Sequence, residues 1–446
     1  MTRRRPVEFP DAVAQRSVSQ FYTTVQDAVS MKRRKFLMTT GMMTSALPLA
    51  AAPLLQAPAR VGSRPAIRIT DIKTYLLGVG GRNLLFVKVE TDQGIHGIGE
   101  AYSCGPDEGT VAVINDFRSW LVGQDPRNVE HLWATMMNFT RFPGGLVVNA
   151  AISGIEHALW DIAGKAAGLP VYMLLGGKCR EKIRVYQSAG GDSPARVAES
   201  AKALVEKYGY TAVKMSPHQP KTNEMPYNAV TRFAGQRVGA VREALGPDVD
   251  IGVDIHAKFF EVSRAVRLAR EIEPYRPFWL EEPIRPENVD AMAKLAAHVN
   301  IPLASGECNY TKYEFQRILH AQALDIIQPD VCVCGGLMEM KKIAALAEAH
   351  YVVVAPHNPM GPVATTVNVH FAASTPNFLI LEYHPDDSAP RKDLLKEPLM
   401  VKDGYIPLPN KPGFGIELNE EAFRHYPPKP WHRGFAYRAD GSVDFI

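Results

Sequence analysis

Apolar and polar positions change rhythm along the chain, and each change marks a different kind of element. The runs IRITDIKTYLL, from Ile67, and NLLFVKVETDQGIHGIGEA, from Asn83, are rich in β-branched and aromatic residues. They predict strands joined across Gly78 to Gly81, with Thr91-Asp92-Gln93-Gly94 as a tight turn inside the second run. Apolar residues then recur every three or four positions near 109–122, 127–138 and 147–167, the spacing of helices. The last of these stops at Gly168, ahead of Pro170. From about Ile183 the rhythm changes again. Short apolar runs (IRVYQSAG, AVKMSP, IGVDIHA, FWLEEP, IPLASGE, IIQPD, VVVAPH and LILEYH) alternate with amphipathic stretches such as SRAVRLAREIE and GLMEMKKIAALAEAH. Eight strands with helices between them predict an α/β fold, a modified (β/α)8 TIM-type barrel. A three-layer open sheet is the alternative. Polar residues at nearly every strand's carboxyl end favour the barrel, whose active sites lie at that end. The expected organisation is a leader and linker over 1–66, an α+β domain over 67–182 completed by the segment 385–446, and the barrel over 183–384.

The 446 residues suffice for two domains, and 46% apolar with 22% charged residues is the balance of an ordinary soluble protein. The net charge of +3 is spread over the body of the chain without a basic stripe, so no nucleic-acid partner is expected. Cys104, Cys179, Cys308, Cys332 and Cys334 are scattered and odd in number, and read as reduced thiols instead of a disulfide or zinc framework. The amino terminus stands apart. Lys32-Arg33-Arg34-Lys35-Phe36-Leu37 precedes MTTGMMTSALPLAAAPLL, a paired arginine followed by a modest apolar stretch and small residues at Ala50-Ala51-Ala52. This pattern predicts a twin-arginine export signal and a periplasmic location, with a basic leader on a cytoplasmic protein as the alternative. The apolar stretch is short and broken by Pro48, so no stable membrane span is expected. Translation from Met1 and from Met31 both fit this reading.

The chemistry concentrates at the predicted strand ends. Asp254 ends the third strand, Glu281 the fourth and Glu307 the fifth. Adjacent strands lie ~5 Å apart, so three ionised carboxylates there would repel strongly unless a cation joins them. All-oxygen ligation suits Mg²⁺. Each acid alone reads as a salt-bridge partner; three on consecutive strand ends read as a metal site. Glu282 follows Glu281, and alternation along a strand lets only one of the two face the barrel interior. His256 projects from the same side of its strand as Asp254. His357 ends the seventh strand, beside Asp330 at the end of the sixth, and an Asp orients such a ring and raises its basicity. One histidine to remove a proton α to a carboxylate, another to protonate a leaving hydroxyl, and a cation between them fit dehydration of a sugar acid to a 2-keto-3-deoxy acid. Glu382, ending the eighth strand, is placed to hydrogen-bond a substrate carboxylate oxygen if protonated.

LEEP at Leu280–Pro283, SGE at Ser305–Glu307, QPD with Gly335-Gly336, and APHNPMGP at Ala355–Pro362 resemble the mandelate racemase subgroup of the enolase superfamily. The resemblance runs over about residues 67–438, and the tail RADGSVDFI is similar to that of the galactonate dehydratases within the subgroup. It implies that the α+β domain is a capping domain. It implies one Mg²⁺ per subunit on Asp254, Glu281 and Glu307, and it is the resemblance that selects Glu281 over Glu282. It further implies His357 with Asp330 as the base dyad, His256 as the acid and Glu382 as the group that steadies the enediolate. Racemases of the subgroup carry Lys-x-Lys on the second strand, where this chain has Lys214-Met215-Ser216; Ser216 cannot be the second base. Lys214 and Ser216 are placed in the substrate site. The resemblance implies a homo-oligomer acting on a small sugar acid, with D-galactonate the single best substrate. An epimerase or cycloisomerase on the same scaffold is the rival activity, and a sugar-acid binder without turnover is the rival of another class.

Overall fold

The computed structural model describes residues 66–446 apart from Cys104, Thr140, Pro143, 219–221, 431–435 and 445–446. The expected export signal lies outside the described residues, as does part of the tail motif. Residues Pro65–Ile446 form one compact unit.

The unit begins with an antiparallel sheet of β1 (Ile69–Val79), β2 (Arg82–Thr91) and β3 (His96–Ala101), in that order. Side chains alternate across β2 as a two-residue period requires. Leu85, Val87 and Val89 enter a core with the helices Asp107–Leu121, Val129–Met137 and Leu146–Ala167, whereas Leu84 and Phe86 enter the core of the barrel. The long helix lies so close to β3 that a Cβ on Gly97 would stand 1.9 Å from the Ala158 carbonyl oxygen, and one on Gly99 2.0 Å from that of Gly154. Only glycine permits that approach.

The barrel strands are β4 (Lys182–Ala189), β5 (Ala212–Met215), β6 (Asp250–Asp254), β7 (Trp279–Glu281), β8 (Leu303–Ser305), β9 (Ile326–Ile327), β10 (Val353–Val354) and β11 (Leu381–Glu382). Each pairs in parallel with the next from β4 to β10, and β11 pairs with β4. Closure comes from a parallel bridge between Val354 and Phe378, with the Leu379 N–H donating to the Val354 carbonyl at 2.8 Å. A helix separates each pair of consecutive strands, as the sequence predicts. The modification is at the end. Among the described residues no α-helix directly follows β11, and β12 (Tyr405–Pro407) runs antiparallel to β4.

The interior is filled by Tyr186, Ala212, Trp279, Ala304, Ile326, Ala355 and Ile380. Large rings come from β4 and β7, which meet edge to face at 5.4 Å, and alanines face them. On β6 even alanine is excluded, because a Cβ at Gly252 would fall 2.8 Å from the Trp279 ring. This aromatic floor closes the barrel below the strand ends that carry the acids.

Two buried carboxylates tie the cap to the barrel. Glu100, in β3, accepts from the Gly361 and Ala364 N–H groups at the start of the helix Pro362–Ala373 (2.6 and 2.8 Å). Glu156 accepts from the Leu337 and Met338 N–H groups at the start of the helix Leu337–Ala349 (2.8 and 2.9 Å). Both satisfy amide donors that a helix start leaves unpaired.

Candidate active site

Parallel register brings Asp254 and Glu281 side by side at the ends of β6 and β7, whereas among the described residues the donor atoms within 4.8 Å of one another are those of Glu282, Glu307 and Cys308, not the expected set of Asp254, Glu281 and Glu307. Glu307 follows β8 by way of Gly306, whose φ of 141° suits glycine alone. Lys214, on β5 and buried, sits among the acids. Its Nζ lies 2.7 Å from Glu281 Oε1, 3.1 Å from Asp254 Oδ2 and 3.1 Å from Glu382 Oε1. Burial works against its charge, but these carboxylates hold its pKa well above the ordinary lysine value.

Glu281 is fixed from behind as well. Its Oε2 accepts from Trp279 Nε1 at 2.8 Å and from Gln328 Nε2 at 2.9 Å. Burial pushes its pKa up, while Lys214 and the Gln328 hydrogen bond bring it below the usual value. The aromatic floor therefore also orients a candidate ligand. Neither Trp279 nor Gln328 was singled out from sequence, although Trp279 stands two residues before Glu281 and so shares its side of the strand.

Two expectations change. Glu282 does not turn away from Glu281's end of the barrel: it has a φ of 41°, so strand alternation stops at Glu281, and its buried carboxylate joins Glu307. Donor atoms of Glu282, Glu307 and Cys308 lie within 4.8 Å of one another, and burial together with Glu307 and Asp254 holds the Glu282 pKa far up. Cys308, a free thiol as expected, borders the site. Second, the Glu382 carboxyl is not pushed toward its protonated form. Burial alone would raise its pKa, but Lys214 and His357 outweigh burial and hold it well below the carboxylate range; the Asn358 N–H donates to its Oε2 at 2.9 Å.

The two histidines flank this corner. His357 Nδ1 lies 2.8 Å from Asp330 Oδ2, and the Cys332 N–H donates to Asp330 Oδ1 at 2.7 Å. A carboxylate accepts only, so Nδ1 carries the hydrogen and Nε2 faces Glu307, 3.4 Å away. Burial lowers the pKa of His357, yet Glu307 and the Asp330 hydrogen bond carry it to about 10. His256 is half-exposed. Its N–H donates to Asp254 Oδ1 at 2.9 Å, and its Nε2 lies 3.1 Å from Asp254 Oδ2. Burial and then Lys214 lower its pKa. Ser216 lies beyond β5, with its Oγ accepting from the His218 N–H at 3.3 Å. From the cap, Arg82 donates to the carbonyls of Ser103 (2.7 Å) and Pro359 (3.2 Å), and the Tyr102 ring lies 6.4 Å from that of His357.

A hard divalent cation suits this corner. Glu282 Oε1 is buried without a hydrogen bond, Asp254 Oδ2 is held only by Lys214 and His256, and burial together with neighbouring carboxylates raises the pKa of Asp254, Glu282 and Glu307.

Residues 60–176 match the family model of the mandelate racemase/muconate lactonizing enzyme N-terminal domain, and 196–422 match that of the enolase C-terminal domain-like family. The chain belongs to the enolase superfamily, in its mandelate racemase/muconate lactonizing enzyme family. Similar members include the D-galactonate dehydratases of Ralstonia pickettii (37% identical) and Variovorax paradoxus (38%). Each alignment covers 84% of this chain and 99% of the relative. An enolase from Agrobacterium radiobacter, provisionally named a galactarate dehydratase and bound to sodium and L-malate, superimposes with a TM-score of 0.82. It is 37% identical, over 85% of this chain and all of that one. The two matched segments of this superfamily member coincide with its cap and with most of its barrel. Enolase-superfamily members use Mg²⁺.

Proposed function

We propose that this chain dehydrates a sugar acid, with D-galactonate the substrate to test first, and releases a 2-keto-3-deoxy acid. The observation that carries the reading is the placement of two histidines, His357 with its Asp330 and His256, on either side of one cluster of strand-end acids. Asp254, Glu281 and Glu307 would hold one Mg²⁺ per subunit, with Glu282 beside them. Bound there, Mg²⁺ supplies positive charge against the negative charge that develops on a substrate carboxylate when its α-proton leaves.

The chain's own residues do the rest. His357 Nε2 takes the proton from the carbon α to the carboxylate, while Asp330 keeps hold of Nδ1–H and steadies the imidazolium. His357 acts as a base only when the Glu307 charge is engaged elsewhere, because Glu307 is the strongest influence raising its pKa. His256 gives a proton to the hydroxyl on the next carbon, which departs as water. One C–H and one C–O bond break, a C=C bond forms, and the enol ketonises to the 2-keto acid. Lys214 and the ionised Glu382 form an ion pair at the edge of this space. Lys214 would present a fixed positive charge to the substrate carboxylate, and Trp279 and Gln328 keep Glu281 from turning. Ser216 lacks the proton-accepting strength of a second base, which favours elimination over racemisation.

The test is incubation of the full chain with Mg²⁺ and D-galactonate, reading 2-keto-3-deoxy acid by semicarbazide and the product mass. Loss of one water supports the reading. A product of unchanged mass would replace it with epimerisation or cycloisomerisation. We further infer twin-arginine export to the periplasm from the Arg33-Arg34 leader, and homo-oligomeric assembly from the family. Retention of a reporter fused to residues 1–60 in the cytoplasm would refute the first, and a monomeric mass in light scattering the second.

A further inference from the structure

Two buried side chains near the barrel mouth have nitrogen atoms that the protein does not pair. His218 follows β5 and is 7% exposed; neither ring nitrogen has a hydrogen-bond partner. Arg237, on the helix Tyr227–Leu245, is 2% exposed. Its Nε donates to the Ser216 carbonyl at 3.1 Å and its Nη2 to the Gly191 carbonyl at 3.0 Å, whereas Nη1 is buried without a partner. Those carbonyls stand just beyond the carboxyl ends of β5 and β4, so the guanidinium is anchored on the catalytic face of the barrel. Ser216 is two residues beyond Lys214, which is already among the acids. The His218 ring packs edge-on to Phe259 at 5.7 Å, on the loop that carries His256.

Buried nitrogens without partners are uncommon, and a buried guanidinium with a free arm is costly to leave so. The charged and titratable groups acting on His218 are Lys258, His256 and Arg237, with no carboxylate among them; the acid that acts on Arg237 is the exposed Asp192. Burial keeps His218 neutral, so its ring offers one N–H donor and one acceptor. A substrate hydroxyl would pair His218 but leave the Arg237 charge uncompensated. A carboxylate takes donors from both.

We propose that His218 and Arg237 bind the far carboxylate of a sugar diacid, so that this chain acts best on an aldarate, and on aldonates less well. The inference rests on the dehydratase reading above and narrows its substrate class. The experiment compares galactaric with galactonic acid, which share their configuration from C2 to C5, using the full chain with Mg²⁺. The expected kcat/KM is about tenfold or more higher for the diacid, and Arg237→Met lowers the diacid-to-monoacid ratio about 10- to 100-fold. A wild-type preference for galactonate, or a ratio untouched by Arg237→Met and His218→Phe, overturns it. A folding defect in a variant lowers both substrates together and leaves the ratio in place, which is why the ratio is read. Calorimetric binding of both acids to His357→Asn separates the two readings. Tighter, Arg237-dependent binding of galactarate without turnover in the wild type would uphold the anion site and refute dehydration; equal binding would refute the site.

Discussion

At the scale of single residues the site is a matter of who holds each carboxylate. Glu281 has both oxygens engaged, one by Lys214 and one by Trp279 and Gln328, whereas Asp254 Oδ2 is held only by Lys214 and His256 and Glu282 keeps a buried oxygen without a hydrogen bond. Side chains that orient a metal ligand govern affinity nearly as much as the ligand does. Trp279→Phe is therefore expected to raise the Mg²⁺ concentration needed for half-occupancy about 10- to 100-fold, read by calorimetric Mg²⁺ titration; an unchanged titration would mean that Gln328 alone suffices. His357→Asn is expected to lower kcat by about 10²- to 10⁴-fold with a much smaller change in KM. Asp330→Asn should fall short of that loss, since it disturbs the ring's tautomer and leaves the ring in place. Retained turnover in His357→Asn would remove the assigned base.

At the scale of elements, glycine and glutamate set how the cap meets its neighbours. In Gly97→Ala the new Cβ would stand 1.9 Å from the Ala158 carbonyl oxygen, so the helix Leu146–Ala167 must part from β3. A loss of about 3 kcal/mol or more in urea unfolding is expected, and a loss within experimental error would mean that this contact yields easily. Glu156 gives a pH dependence. Burial pushes its carboxyl up to about 7, partly offset by the Met338 and Leu337 amides. Its folded pKa is thus above the unfolded one, so between these values the folded state holds a proton that the unfolded chain releases. This contribution to stability is full at acid pH and is lost as pH rises through about 7. Melting temperatures measured from pH 5 to 8 should fall toward the alkaline side, and less steeply in Glu156→Gln; identical slopes would exclude Glu156 as a source.

At the scale of the whole molecule, cap and barrel share a core. Leu84 and Phe86 of β2 cluster with Ile183, Val185 and Phe414, while Glu100, Glu156 and Trp133 reach across to barrel segments, Trp133 Nε1 donating to the Gly335 carbonyl at 2.8 Å. Urea unfolding followed by tryptophan fluorescence and by circular dichroism should therefore give one coincident transition. Two separated transitions would show that the cap and the barrel are energetically independent.

The sequence by itself determined the alternation of strands and helices, because a two-residue and a 3.6-residue period leave different apolar patterns. It also placed Asp254, Glu281, Glu307, Asp330, His357 and Glu382 at strand ends, where parallel register alone brings them to one face. Only the tertiary structure decided how the charges settle. The positive φ at Glu282 ends alternation and turns that carboxylate toward Glu307 and Cys308, which no local pattern announces. Lys214 reaches acids on three other strands and keeps Glu382 ionised, a result of distances across the barrel. The unpaired nitrogens of His218 and Arg237 belong to the same class. An unpaired buried group is defined by everything around it, and a sequence lists no surroundings.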